Sequence, residues 1–179
     1  MKKQMELVLN NSGNNITNNT NTNTNSHNTQ NTNSHNTQIN INNYGREDKS
    51  HITPKYISGL LKFGPRGAIP KLTKAIHFNK NKPENHNIKI TNKKMPYISV
   101  YEDDRWLYRD KDEVINEMVE DKYNMIESHY DEYGEEDLNP RQQKRYNQYR
   151  REMDDSSVND TQKYQKKELD LLILNYSKK

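Results

Sequence analysis

The chain has 179 residues, of which 29% are hydrophobic and 30% are charged, and its net charge at pH 7 is +3. It contains no cysteine, which excludes disulfides and thiolate zinc sites. No apolar run approaches the ~18 residues of a membrane span, and the start, MKKQMELVLNNSG, has too few apolar residues for a signal peptide. We therefore expect a soluble intracellular protein without a membrane partner.

The charged residues are unevenly distributed along the chain. Residues 44–109 carry 14 basic and 6 acidic side chains, residues 110–140 carry 2 and 12, and residues 141–179 carry 10 and 6. One interpretation is that the two basic blocks face a nucleic acid. The other is that acidic and basic elements neutralise each other within the fold.

The first 43 residues differ in composition from the rest. In residues 1–9, Met5, Val8 and Leu9 have helical spacing, which predicts a short helix, interpreted as a coiled-coil remnant. Residues 10–43 form an Asn/Thr-rich segment without charged side chains, in which NTNSHNTQ occurs twice in succession. Such a segment cannot bury enough apolar surface to offset its ordering entropy. It is predicted to be a disordered linker; the alternative is Asn and Thr ladders between identical chains.

Residues 44–179 have the patterns of a folded module. Thr53-Pro54 predicts a helix start and Gly64-Pro65 its end, and a second helix is predicted from near Ile69-Pro70. Ile39 and Ile41 alternate, as do Ile88 and Ile90, and each pair predicts a short strand. Residues 96–109 predict a β-hairpin that turns at EDD, residues 102–104.

Three further helices are predicted after the hairpin. The first runs from Asp110 to Tyr133 and is ended by Gly134; the second starts at Asn139-Pro140; the last carries Leu169, Leu172, Ile173 and Tyr176 on one face. The predicted fold class is α+β: a small helical domain with a short antiparallel sheet, made of a strand plus a β-hairpin, preceded by the disordered tail.

The stretch IHFNKNKPENHNIKI, residues 76–90, is crowded with histidine and asparagine. A zinc site needs three or four ligands, whereas this stretch offers two histidines and Glu84. Asparagine is favoured in tight loops because its side chain mimics backbone turns. We therefore predict a structural loop and no metal or cofactor, with a nucleic-acid contact and a degenerate His/Asn nuclease as alternatives. The loop residues are His77, Asn79, Asn85, His86 and Asn87.

Two groups of basic residues are candidates for nucleic-acid contact. The first is Lys89, Lys93 and Lys94, and the second is Arg141, Lys144 and Arg145 on the predicted helix RQQKRYNQYRREM. In the second group, Tyr146 and Tyr149 are expected to lie nearby and to stack on bases. The alternative is a solvated helix whose charges pair with the acidic helix before it.

Motifs of the common enzyme classes are absent from these 179 residues. The six glycines do not form a phosphate-binding loop, and neither a nucleophile elbow, an HExxH motif nor an EF-hand loop occurs. We therefore predict a protein that is not an enzyme and has no small-molecule substrate.

A specific succession of segments resembles a known family. An Asn/Thr-rich linker is followed by QININNYGREDKSHIT, by AIPKLTKAIHFNKNKPENHNIKITNKK, and by a hairpin that contains a tryptophan. This order resembles the C-terminal module of uncharacterised proteins from giant nucleocytoplasmic DNA viruses of the mimivirus type. In typical members a C2H2 zinc finger, a coiled coil and an Asn-rich linker precede the module. The resemblance covers roughly residues 39–130 well and the rest loosely.

The sequence departs from that family pattern in three ways. It has no zinc finger, MKKQMELVLNNSG corresponds only to the last turns of the coiled coil, and Asp103-Asp104 stand where relatives place glycine in the hairpin turn. What the finger implies about nucleic-acid binding therefore does not carry over directly.

The resemblance implies a viral accessory protein located in the host-cell cytoplasm, the viral factory or the virion. The expected function is a non-enzymatic binding module that acts in a nucleic-acid context, with DNA or RNA as its partner. The alternative is an oligomeric structural or protein–protein interaction protein that self-associates through its N-terminal segment.

Overall fold

Helices come first in the described part of the chain, then a small sheet, then three more helices. The computed structural model describes residues 39–155 and 160–177, all within one compact unit. The elements are α1 (Pro54–Phe63), α2 (Ala68–His77), β1 (Ile88–Lys89), β2 (Tyr97–Glu102), β3 (Arg105–Asp110), α3 (Lys111–Asp137), α4 (Pro140–Asp154) and α5 (Asp160–Tyr176). Short 3-10 turns occupy Pro65–Gly67 and Pro83–Asn85. The predicted α+β class, with a strand and a hairpin in one antiparallel sheet, is confirmed. The predicted helix at 1–9 and most of the predicted disordered linker lie outside the described residues.

Side-chain caps start the helices where the sequence predicts them. The Thr53 hydroxyl accepts a hydrogen bond from the Tyr56 N–H at 3.2 Å, with Pro54 at the first helical position. Asn139 and Gln142 form a reciprocal capping box, with bonds of 3.0 and 2.9 Å. Each cap satisfies backbone N–H groups that have no partner inside the helix.

Gly134 does not end α3, contrary to the sequence prediction. The helix continues to Asp137, and the Leu138 N–H closes its last turn by bonding to the Gly134 carbonyl at 3.2 Å. A Cβ atom at position 134 would lie 2.6 Å from the Tyr130 ring. The glycine therefore provides room for that ring, which packs against Tyr146 with centroids 4.2 Å apart.

The strand predicted from Ile39 and Ile41 is also wrong. Residues 39–43 form no strand, and Ile39 is half exposed. Two separate backbone bonds hold this segment instead: Asn42 N–H to the Glu84 carbonyl and Tyr44 N–H to the Tyr101 carbonyl, both at 2.7 Å. Because the two acceptors belong to different segments, no regular ladder forms.

The sheet has the order β1-β2-β3, with both neighbouring pairs antiparallel. Val100 pairs with Ile88 on one side and with Leu107 on the other. Ile98 and Val100 are buried on the face that packs against α3. The opposite face carries the alternate side chains and is described below.

The hydrophobic core lies where α2, α3 and α5 meet, with α1 and the sheet at its sides. The largest fully buried aliphatic residues of α2, α3 and α5 are Ile69, Leu72, Ile76, Met118, Ile126, Leu169 and Ile173. This core holds the inner face of the sheet, which carries Ile98 and Val100, against α3. The core residues of the described helices lie on that inner side.

Candidate nucleic-acid interface

The outer face of the sheet carries four aromatic side chains. Strand alternation places Tyr97 and Tyr101 of β2, and Trp106 and Tyr108 of β3, on the side opposite the buried Ile98. Tyr97, Trp106 and Tyr108 are exposed by 39%, 37% and 71% respectively. The sequence predicts this alternation because aromatic and aliphatic residues occupy successive positions of β2.

The aromatic rings form two pairs across the strands. Tyr101 and Trp106 are direct partners with centroids 5.6 Å apart, and Tyr97 meets the diagonal neighbour Tyr108 at 4.8 Å; both pairs meet edge to face. The Lys89 ammonium lies 3.7 Å from the centre of the Trp106 ring, which is within cation–π range. The face is therefore aromatic at its centre and cationic at its β1 side.

Lys93 and Lys94 lie in the loop that joins β1 to β2. Both are exposed, and the Asn92 side chain holds the loop by accepting a bond from the Lys94 N–H at 3.0 Å. None of Lys89, Lys93 and Lys94 forms a salt bridge with a carboxylate of the described residues.

Asp103 and Asp104, the two carboxylates of the hairpin turn, lie at the other end of β2. The lysine end of the face also holds the exposed Asp110, the direct partner of Tyr97, so three lysines and one carboxylate lie at or beside that end.

The second predicted group lies on α4, which packs against α1, α5 and the turn at Pro65–Gly67. Arg141, Lys144 and Arg145 are exposed, and Arg145 donates to the Lys62 carbonyl at 2.8 Å. The expectation that Tyr146 and Tyr149 stack on bases is wrong, because they are only 1% and 2% exposed. They point into the core between α3 and α4, and the Tyr146 hydroxyl donates to Glu127 of α3.

Charge pairing with the acidic helix α3 occurs at one position of α4. Arg150 contacts Glu127 at 2.6 Å and Asp131 at 3.4 Å. Arg141 and Lys144 have no such partner among the described residues. Charge pairing with the acidic helix therefore applies to Arg150, and the interpretation as a nucleic-acid contact is left for Arg141 and Lys144.

The asparagines of the His/Asn stretch bond to the protein itself. Asn85 accepts from the Asp48 N–H at 3.0 Å and donates to the Asp48 carbonyl at 2.8 Å. His86, on the surface, contacts the Asn79 carbonyl at 2.9 Å through Nε2. Asn87 donates to the Asn42 carbonyl at 3.2 Å and to Glu47 at 2.8 Å. These contacts join the stretch to residues 42–48.

His77 is fully buried and does not converge with His86. Its Nδ1 lies 2.9 Å from Asn87 Oδ1, and the Lys122 ammonium lies 3.2 Å from its Nε2. Because lysine can only donate, Nδ1 carries the imidazole proton and donates to Asn87. Glu47, with 2% of its side chain exposed, lies 3.7 Å from the same Nδ1. The result is a buried network of Glu47, His77, Asn87 and Lys122.

The electrostatics of this network follow from its burial. Burial, followed by the charge of Lys122, lowers the pKa of His77 from its ordinary 6.5 to about 3. The pKa of Lys122 is also lowered, chiefly by burial, against the opposing effect of Asp121 at 2.8 Å. His77 is thus a neutral acceptor at physiological pH.

Lys122 and Glu47 were missed by the sequence interpretation. Lys122 lies on the amphipathic helix α3, 45 positions from His77, and nothing in its local pattern separates it from exposed lysines. A neighbouring cavity, lined by Tyr44, Glu47, Asp121 and Lys122 among others, has a volume of about 150 Å³, which is below the usual range for ligand pockets. We therefore interpret the network as structural: its contacts join residues 44–49 to α2 and α3.

Residues 39–155 and 160–177 contain neither a metal-binding cluster nor a membrane-spanning helix. No group of three or more His, Cys, Asp or Glu side chains there has the arrangement to hold a metal ion. No helix among these residues combines the length and apolarity needed to cross a membrane.

Comparison with known proteins adds no relative. The sequence matches no family model, no curated protein and no solved structure, so the resemblance to giant-virus proteins stays a prediction.

Proposed function

We propose that the protein is a non-enzymatic module that binds single-stranded nucleic acid on the outer face of its sheet. The observation that carries the proposal is the group of exposed aromatic rings beside Lys89, Lys93 and Lys94. The setting that fits the family resemblance is the nucleic-acid metabolism of a giant-virus infection.

The chemistry of the face favours single strands over duplexes. Unpaired bases stack on exposed aromatic side chains, each stack contributing about 1–3 kcal/mol, while nearby cations neutralise the phosphates. A duplex presents its phosphates but keeps its base faces stacked. Tyr108 and Trp106 offer the ring surface, and the two loop lysines supply unpaired positive charge at one end of it.

Stabilisation of the hairpin alone is the competing explanation for these rings. Cross-strand aromatic pairs contribute roughly 0.2–1 kcal/mol each to a sheet, and both pairs present have suitable geometry. That explanation accounts for Lys89, which contacts the Trp106 ring. It does not require Tyr108 to remain 71% exposed, nor does it account for Lys93 and Lys94, which pair with no carboxylate of the described residues. The face combines both features that single-strand binding needs.

The α4 group is proposed to make a lesser contribution. Arg141, Lys144 and Arg145 are exposed, but the tyrosines near them are buried and cannot stack. We expect these cations to add salt-dependent phosphate contacts without base stacking.

The single tryptophan allows a direct test. Because Trp106 is the only tryptophan in the chain, we expect its fluorescence to be quenched by a single-stranded dT oligonucleotide and much less by a duplex. The affinity, measured by anisotropy of a labelled oligonucleotide, should fall with added salt. The double substitution Lys93→Ala/Lys94→Ala should reduce the salt slope by about 0.7 for each phosphate that is no longer neutralised.

Matched variants separate stacking from general effects. Tyr108→Ala should weaken binding by roughly 5- to 100-fold, the equivalent of one stacked base. Tyr164→Ala removes an aromatic ring of α5 that is 46% exposed and should leave the affinity unchanged. Equal effects of these two variants, or quenching that does not depend on salt, would contradict the proposal.

Self-association is the second candidate function, because an exposed aromatic face also suits a protein partner. Light scattering on the full chain decides between them. A stable oligomer that dissociates on Tyr108→Ala, together with no oligonucleotide binding, would replace the nucleic-acid proposal by the oligomer.

A further inference from the structure

A second potential binding site lies on a different part of the molecule, between the α1–α2 junction and α4. It is a cavity of about 410 Å³ whose walls include Phe63, Arg66, Lys71, Arg145, Tyr149 and Glu152. This volume suits a small organic ligand. None of its walls belongs to the sheet face, and the one residue shared with the function proposed above is Arg145 of the α4 group.

One residue that lines the cavity carries a hydroxyl group that is unsatisfied and closed to solvent. Tyr149 is 2% exposed, yet its hydroxyl has no hydrogen-bond partner among the described residues. Burial, followed by the charge of Glu127, raises the pKa of this hydroxyl, and Arg66 and Glu152, which line the cavity, have smaller effects. A buried polar group without a partner is unfavourable for stability, but this oxygen is closed to solvent, so it adds no contact to a ligand in the cavity.

The positive charge of the cavity exceeds its negative charge. Glu152 is its one carboxylate, and that group already accepts from Arg66 at 2.6 Å, Gln148 at 3.0 Å and Thr161 at 2.9 Å. Hydrogen bonds from Arg66 hold the pKa of Glu152 below its ordinary range, so it stays ionised and paired. Lys71 and Arg145 have no carboxylate partner among the described residues.

Arg145 is held in a position from which it can bind an anionic group in the cavity. Its Nη2 donates to the Lys62 carbonyl at the end of α1, at 2.8 Å, which keeps the guanidinium beside the cavity. Its other N–H groups bond to none of the described residues. Arginine binds phosphate oxygens through paired N–H groups. Lys71, on the opposite side in α2, adds a second positive charge.

A planar apolar surface completes the site. Phe63 is the last residue of α1, lines the cavity and is 84% exposed. An aromatic ring in this position can stack on a planar base.

We propose that this cavity binds a nucleoside phosphate, with the phosphate between Arg145 and Lys71 and the base against Phe63. A small-molecule ligand was not expected from the sequence, because Arg145 of α4 meets Phe63 and Lys71 only in the fold.

Calorimetric titration of the full chain with AMP tests this assignment. We expect AMP to bind more tightly than either adenosine or inorganic phosphate, because each of these lacks half of the recognised chemistry. Arg145→Ala should weaken AMP binding about tenfold or more. Arg141→Ala removes another exposed arginine one turn earlier on α4, outside the cavity, and should have no effect on AMP binding.

Two further variants test the base and the hydroxyl. Phe63→Ala should weaken AMP binding and leave inorganic phosphate unaffected. Tyr149→Phe is a control inside the cavity wall. Because its hydroxyl is closed to solvent, AMP binding should stay unchanged, while the Tm of the unliganded protein stays constant or rises since an unsatisfied hydroxyl is removed.

The assignment is overturned if millimolar AMP does not bind, or if Arg141→Ala and Arg145→Ala have equal effects. Adenosine that binds as tightly as AMP would contradict the phosphate contact, and phosphate that binds as tightly would contradict the base contact. Oligonucleotide binding to the sheet face, read from Trp106, is measured separately and is expected to be unchanged by Phe63→Ala.

Discussion

At the scale of single residues, His77 links three parts of the chain from one buried position. It lies at the end of α2, contacts Asn87 of the loop between α2 and β1, and receives a hydrogen bond from Lys122 of α3. Glu47 completes the group from the segment that precedes α1. Because every member is buried, removal of one partner would leave the others without a compensating bond, which is strongly unfavourable.

The low pKa of His77 predicts a stability that falls with acidification. Below 6.5, its ordinary pKa, the unfolded chain takes up a proton at this histidine, whereas the folded protein takes it up only near 3. The folded pKa is depressed, so the contribution is complete above 6.5 and is lost as the pH falls from there. The free energy of unfolding should decrease by up to about 1.4 kcal/mol per pH unit.

Urea unfolding at several pH values between 6.5 and 4.5 measures this slope above the ordinary pKa of Glu47, which is 4.5. His77→Gln should remove most of the slope, and His86→Gln, which changes a surface histidine, should retain it. An NMR titration of the unsubstituted protein gives an independent check: a His77 imidazole that protonates near its ordinary pKa would contradict the prediction.

At the scale of elements, the hairpin between β2 and β3 depends on an unfavourable turn. Asp103 and Asp104 are the two central residues, and both have positive φ, 50° and 59°. This conformation suits Asn-Gly best, because a side-chain Cβ is disfavoured at positive φ. The two adjacent carboxylates also repel each other.

The paired substitution Asp103→Asn/Asp104→Gly should therefore stabilise the protein. We expect a gain of about 0.5–1 kcal/mol in the free energy of unfolding, after the entropy that glycine adds to the unfolded chain is subtracted. Asp103→Ala/Asp104→Ala is the matched control, since it removes the same charges but keeps the backbone strain. If both double variants raise the Tm equally, charge rather than turn conformation is the cause.

At the scale of the whole molecule, α5 connects the elements of the described unit. It packs against α2, α3, α4 and β1, and the Ser177 hydroxyl that follows it accepts a bond from the Ile90 N–H at 2.9 Å. Ile173, fully buried, lies on the side of α5 that faces the core. The sheet and the helices should therefore unfold together.

Ile173→Ala should lower the free energy of unfolding by about 2–5 kcal/mol, through reduced apolar burial and the cavity that remains. We expect far-UV circular dichroism, which follows the helices, and Trp106 fluorescence, which follows the sheet, to shift together. Leu172→Ala, at a half-buried neighbouring position on the same helix, should cost clearly less. A fluorescence transition that stays unchanged while the helices melt earlier would show that the sheet is independent of α5.

Local patterns in the sequence predicted most elements of the fold. Thr53-Pro54 and Asn139-Pro140 specify helix starts because their side chains and φ angles suit these positions. The alternation of Tyr97, Ile98 and Val100 predicted a strand with two different faces. Gly134 was misjudged because its role depends on the ring of Tyr130 and its partner from α4, and a local pattern does not show that contact.

The sequence by itself determined the elements of this protein, the fold class and the order of its basic and acidic blocks, since these depend on residues close together in the chain. Tertiary structure alone decided which polar and aromatic side chains are exposed. It buried Tyr146 and Tyr149, which the spacing had placed beside the basic residues of α4, and it brought Lys122 to His77 and Arg145 to Phe63. Burial depends on packing between distant segments, and for that reason the two proposed binding surfaces were decided by the fold.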